Sequence, residues 1–134
     1  MDCIFCKIIN KEMASKVFYE NEYTLAFLDI FPNSDGHSLV IPKKHFENYE
    51  ETDDFYLQEV AKTKKIVAKM LREKLNSKGI NYVSNQGSEA FQMVFHYHEH
   101  IIPKYVKEQG YGFKINNKPE DLTNIDEIFN KIVD

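Results

Sequence analysis

The apolar positions of this 134-residue chain change period several times, and each change marks an element. Residues 3–12 read as a short helix. Val17–Tyr19 and Thr24–Asp29 read as two short strands joined by a turn at Glu20-Asn21-Glu22. Asp29–Gly36, DIFPNSDG, is dense in turn residues and predicts a loop. Ser38–Ile41 is an apolar strand stopped by Pro42. From about Asp53 to Asn76 the period becomes helical. Leu57, Val60, Ala61, Val67, Ala68, Leu71 and Leu75 fall on one face at about 100° per residue. Thr52 or Asp53 can cap the start, and Gly79 follows the end. Ile80–Ser84 reads as a strand, Asn85–Ala90 as a polar loop and Phe91–Ile102 as one long strand. Asn124–Val133 is amphipathic through Ile125, Ile128, Phe129 and Ile132, and predicts a short terminal helix.

These elements predict one α+β domain over residues 1–134, with a mainly antiparallel sheet of about five strands and one long helix. Tyr56, Ile66 and Met70 widen the apolar arc of that helix beyond what one sheet needs. The surplus either covers a loop or packs on a second copy; a homodimer is the expectation.

Charge narrows the partners. Seventeen basic against 21 acidic residues give a net charge of -4, and no Lys/Arg tract stands free of acidic neighbours. That argues against a nucleic-acid groove. Lys62–Lys74, the densest basic stretch, reads as the solvated face of the long helix. No apolar run is long enough to cross a bilayer, and MDCIFCKIINKE is not a secretory leader. A reduced, cytoplasmic protein is expected. Cys3 and Cys6 are too close in sequence for a useful structural disulfide, which leaves metal binding, redox work or packing.

Three of the five histidines stand one residue apart in FHYHEHIIP, residues 95–103. In a strand, His96, His98 and His100 would share one face and Phe95, Tyr97, Glu99 and Ile101 the other. A solvated stripe would carry Lys, Thr or Glu there. Two chemical readings remain: metal binding, or attack by one imidazole while its neighbours orient it and hold developing charge. Alternate strand residues lie roughly 6.5–7 Å apart, so the three do not converge naturally on one ion.

The run His96-Tyr97-His98-Glu99-His100-Ile101-Ile102 resembles the signature of the histidine triad (HIT) family, His-x-His-x-His followed by two apolar residues. The resemblance extends to Asp29 in AFLDI, to GHSLVIPKKH with His37 and His45, and to Asn85-x-Gly87 followed by Gln92, in order and spacing over residues 3–103. Beyond Tyr105 it fades. Glu99 departs from the pattern, standing where an apolar residue is usual, and is expected to point away from the triad.

The resemblance implies a HIT-like fold and a nucleotidyl hydrolase or transferase. His98 would attack the α-phosphorus of a purine nucleotide, giving a covalent nucleotidyl-imidazole that water then releases. His100 and Gln92 would act as donors, with His96 completing the triad. Asp29 matches the ribose-binding acid, with Ile30 beside it. Phe5, Ile8 and Phe27 match an apolar slot for the base, a role that competes closely with plain core packing. Asn85, Gly87 and Ser88 would hold the phosphate. His37 would stand behind the residues that touch substrate. Some HIT proteins bind structural zinc through a set that matches Cys3, Cys6, His45 and His96, and HIT proteins of this kind pair through the long helix and an adjoining strand. Many relatives carry a small hydroxyl residue directly after the glutamine. Here Met93 stands there, and its thioether cannot donate a hydrogen bond. That favours dinucleoside polyphosphates over phosphoramidates as substrates. A nucleotide-binding protein without turnover is the reading of another class.

Overall fold

The computed structural model describes residues 2–134. Five strands, β1 (Val17–Glu20), β2 (Thr24–Leu28), β3 (Ser38–Pro42), β4 (Gly79–Val83) and β5 (Glu99–Lys104), form one sheet in the order β1-β2-β3-β5-β4. Every neighbouring pair is antiparallel. Three helices accompany it: α1 (Ile4–Ile9), α2 (Asp54–Leu75) and α3 (Ile125–Val133). The expected α+β class, strand count and long helix all stand.

Strand alternation places a core on each face of the sheet. Ala26, Val40 and Ile101 point to one side and meet Val60, Val67 and Leu71 of α2, with Phe46 and Tyr97. Leu25, Phe27, Leu39 and Ile41 point to the other and meet Phe5 and Ile8 of α1. Both faces of β2 and β3 are covered, so these strands read as continuous apolar runs. The β1–β2 turn is built by Asn21, whose side-chain oxygen accepts from the Tyr23 and Thr24 N–H groups at 2.9 and 2.8 Å.

α2 departs from the sequence reading in detail. Ala61 and Leu75 are exposed, while Thr63 is buried on the sheet side. Its hydroxyl meets that of Thr24 at 2.6 Å, so a buried polar pair fills the gap in the apolar stripe. Asp53 occupies the N-cap position without a side-chain cap bond, and Thr52 donates to the Asn48 carbonyl instead. Asn76, left-handed at φ 59°, ends the helix, and Gly79 opens β4.

The larger correction concerns Phe91–Ile102. Only Glu99 onward is strand. Phe91 is left-handed at φ 67°, the Gln92 N–H returns to the Gly87 carbonyl, and the Tyr97 N–H donates to the Phe46 carbonyl at 2.7 Å. The segment spends its backbone bonds on loops, so His96 and His98 precede the strand rather than lie in it. Glu99 does point away from the histidines. On the α2 side its buried carboxylate meets the Lys64 ammonium at 2.9 Å and the Tyr97 hydroxyl at 2.6 Å, which offsets the cost of burying the charge.

Candidate active site

Helix α1, the loops on either side of β3, and β5 with the segment before it bring the candidate residues into two adjoining clusters. In the first, Cys3 at the N-cap of α1 and Cys6 in its first turn face His45 and His96. In the second, Asp29, His37 and His100 come together. His98 bridges them. Its ring lies 5.1 Å from that of His100, and Phe5 stands edge-on to His98 and His96 at 5.1 and 5.9 Å.

Backbone partners decide which nitrogen of each imidazole carries its proton, because a carbonyl only accepts and an N–H only donates. His98 Nδ1 lies 2.7 Å from the His96 carbonyl, so Nδ1–H donates and Nε2 keeps a free lone pair. His96 Nε2 lies 3.0 Å from the Pro42 carbonyl, so its lone pair sits on Nδ1, toward the cysteines. The Asn33 N–H donates to His37 Nδ1 at 3.0 Å, which puts the His37 proton on Nε2. That Nε2–H points at His100 Nδ1, 2.9 Å away, with Asp29 Oδ2 at 3.5 Å. His100 Nδ1 therefore accepts, and its own proton sits on Nε2.

Burial favours the neutral ring in every case. It pushes His98 and His37 below the ordinary imidazole range. Burial, reinforced by His98 and His37, pushes His100 down to about 4. Burial likewise holds His96 at about 4 despite the Pro42 bond. At neutral pH His37, His96, His98 and His100 are uncharged, each in one tautomer.

The two clusters suit different tasks. A Zn²⁺ tetrahedron with ordinary Zn–S and Zn–N lengths has ligand–ligand edges of roughly 3.3–3.8 Å. Here His96 Nδ1 lies 3.4 Å from Cys3 Sγ, 3.6 Å from Cys6 Sγ and 3.1 Å from His45 Nδ1, and Cys6 Sγ lies 3.4 Å from His45 Nδ1. The donor set fits a closed tetrahedral ion. Burial and the neighbouring Cys3 push the Cys6 thiol up to about 11, and a bound cation would reverse that. The Asp29–His37–His100 cluster does not fit an ion. Its central His37 Nε2 carries a proton, so it serves as a hydrogen-bonded relay.

The remaining predicted residues divide. Phe5, Ile8 and Phe27 are buried together in the α1-side core, with Phe5 against His98. Asp29 Oδ1 accepts from the Phe31 N–H. Ile30 is 77% exposed, on the surface. Asn85 and Gly87 are half-buried, and Ser88 is exposed at the start of a short 3-10 turn. Gln92 is buried, and its amide is fully used within the protein: Nε2 donates to the Glu47 and Val94 carbonyls, and Oε1 accepts from the Gly87 N–H. In this structure Gln92 braces the Gly87 loop and has no donor left for a ligand. Sequence reasoning missed Asn33, whose backbone N–H and, at 3.5 Å, side-chain amide nitrogen face His37 Nδ1, and Pro42, which acts through a carbonyl that any residue could supply.

The depressed pKa of His100 gives a sign to the pH dependence of stability. Between the unfolded value near 6.5 and the folded value near 4, the unfolded chain binds the proton and the native site refuses it. Stability should be intact above pH 6.5 and fall as pH drops toward 4, by on the order of 3 kcal/mol for this ring. His100→Gln should flatten that part of the profile in denaturant titrations run from pH 7 to 4. A slope unchanged by the substitution would show that His100 is not held neutral.

The family model of the HIT domain matches residues 10–107. Protein hit of Bacillus subtilis is 48% identical over 130 residues, spanning 92% of this chain and 89% of that protein. An adenosine 5'-monophosphoramidase of Saccharomyces cerevisiae is 39% identical over 108 residues, 81% of this chain and 66% of that enzyme. The crystal structure of a HIT family member from Bacillus subtilis superposes with a TM-score of 0.89 at 39% identity, covering 99% of this chain and 96% of that one. By family model, relatives and superposition alike, the chain belongs to the HIT domain family.

Proposed function

We propose that the protein is a nucleotidyl hydrolase or transferase acting at the α-phosphate of a purine nucleotide, with a dinucleoside polyphosphate as substrate. The observation that carries this reading is the His98 tautomer. Nδ1–H is spent on the His96 carbonyl, so the lone pair on Nε2 is free in a ring that burial keeps neutral. In the first step Nε2 bonds to the α-phosphorus as the bond to the leaving phosphate breaks and that phosphate takes the electron pair. In the second, water attacks the same phosphorus, the N–P bond breaks with its electron pair returning to Nε2, the water gives up a proton to solvent, and the nucleoside monophosphate departs. His100 Nε2–H donates to a phosphate oxygen through both steps. Asp29 accepts from the ribose hydroxyls. Asn85, Gly87 and Ser88 line the phosphate, and Phe5, Ile8, Phe27 and Ile30 border the base.

A phosphoramidate substrate is the second reading, favoured by the named activity of the yeast relative. Met93 speaks against it, being 84% exposed and unable to donate a proton to a leaving amine. A nucleotide-binding protein without turnover would leave the tautomer of His98 without a use.

Cys3, Cys6, His45 and His96 would hold structural Zn²⁺, as in the zinc-binding bacterial-type branch of the family. Bound there, the ion would supply a cross-link and no open position for substrate. The chain would act as one domain over residues 1–134, in the cytoplasm, without nucleic-acid or membrane partners. Among the described residues no helix is long and apolar enough to cross a membrane. Two copies would pair through α2 and β4. β4 ends the sheet, Tyr82 on it is 50% exposed, and Ile66 is exposed on α2.

His98→Asn should lower kcat on the order of a thousand-fold while leaving nucleotide affinity near that of the parent. Intact mass spectrometry of quenched parent enzyme should show one nucleotidyl adduct. Near-normal turnover in the variant would remove the reading. Cys3→Ser with Cys6→Ser should lose zinc by elemental analysis and melt at a lower temperature, yet still turn over. A folded, metal-free and dead variant would instead place the ion in the chemistry. Light scattering should give about twice 15.8 kDa at micromolar concentration, and a monomer there would rule out the dimer.

A further inference from the structure

The chain folds back after β5. The Lys104 ammonium donates to the carbonyls of Gln109 and Tyr111, which closes Tyr105–Tyr111 into a loop. One contact ties β5 itself, and two tie this loop, to the stretch Asn33–Asp35. The Ser34 hydroxyl donates to the Pro103 carbonyl at 2.6 Å, and the Tyr105 hydroxyl donates to the Asp35 carbonyl at 2.8 Å. Gly110 is left-handed at φ +77°, and a Cβ there would stand 2.9 Å from the Asn33 carbonyl oxygen. On the other side Gly36, at φ +87°, is pressed against α2, where a Cβ would stand 2.6 Å from Leu75 Cδ1. The loop is clamped between α2 and the returning tail. Asn33, held in that clamp, supplies the N–H that sets the His37 tautomer.

We propose that the Tyr105–Tyr111 segment is a positioning element of the reacting centre: it holds the Asn33 N–H on His37 Nδ1 and so keeps the proton of His100 on Nε2. The inference rests on the reading of His100 as the donor to phosphate. The reason lies in the direction of the relay. If Asn33 withdraws, His37 can take its proton on Nδ1 and turn a bare Nε2 toward His100. His100 then donates from Nδ1 and presents a lone pair at Nε2, where a phosphate oxygen needs a proton. The net charge is unchanged and the relay simply runs backwards. Gly110 contributes through Asn33 and His37, not by touching substrate.

Two variants test this, Gly110→Ala and Tyr105→Phe, the second removing only a hydroxyl. Nitrogen-15 NMR of histidine-labelled protein reads the tautomers without any turnover. The parent should show protonated Nε2 at His37 and His100. Both variants should show mixed tautomers there, with His98 unchanged. With diadenosine polyphosphate as substrate, kcat should fall roughly ten-fold in Gly110→Ala and roughly three-fold in Tyr105→Phe, with KM within about two-fold of the parent. Unchanged tautomers in both variants would overturn the proposal, whatever happens to kcat. Mixed tautomers at undiminished kcat would uphold the clamp and instead remove His100 from the proposed chemistry. If Gly110→Ala does not fold, Tyr105→Phe decides alone.

Discussion

A backbone carbonyl can only accept a hydrogen bond and a backbone N–H can only donate one, and the site depends on that asymmetry. An imidazole has two nitrogens and, when neutral, one proton to share between them. Three main-chain groups, the carbonyls of His96 and Pro42 and the N–H of Asn33, remove the choice at His98, His96 and His37. The contact between His37 and His100 passes the decision on to the fourth ring. Side-chain partners could themselves titrate or rotate, whereas these cannot. The fold serves the chemistry chiefly by delivering three peptide groups to three rings.

This explains why the loops around the histidines are less free than their composition suggests. A one-residue slip of the segment before β5 would break the contact between Tyr97 N–H and the Phe46 carbonyl and move His96 off Pro42. The apolar residues beneath hold the register. Phe5 packs against Phe27 and against both His96 and His98, so α1 serves as a wall as well as a carrier of cysteines. On the opposite side of the sheet, Glu99 and Tyr97 form a buried polar link to Lys64, which ties the same segment to α2.

Much of this was legible in the residues. Alternation and helical period gave the strands, the long helix and the class, because both follow from burial on one face. The family resemblance grouped Cys3, Cys6, His45 and His96 as one set, and the structure brings the four together. What failed had physical causes. Phe91–His98 looks like strand by composition, yet its N–H groups find loop carbonyls. Gln92 looks like a free donor, yet its amide is consumed by Glu47, Val94 and Gly87. Asn33 acts on His37 mainly through its backbone N–H, an atom every residue but proline possesses, with its side-chain amide nitrogen farther off at 3.5 Å. Tyr105–Tyr111 lies where the motif ends, and its contacts involve carbonyls and a glycine.

The four side chains of the cysteine–histidine cluster come from positions 3, 6, 45 and 96. No local stretch contains the set, so its assembly must await closure of a loop spanning most of the chain. A nascent chain still short of His96 would have at most three of the four donors. Any ion captured there would be captured late, after β3 and the segment before β5 have met. The cluster would then act as a seal set on finished molecules, and a partly made copy would carry two thiols with nothing to hold.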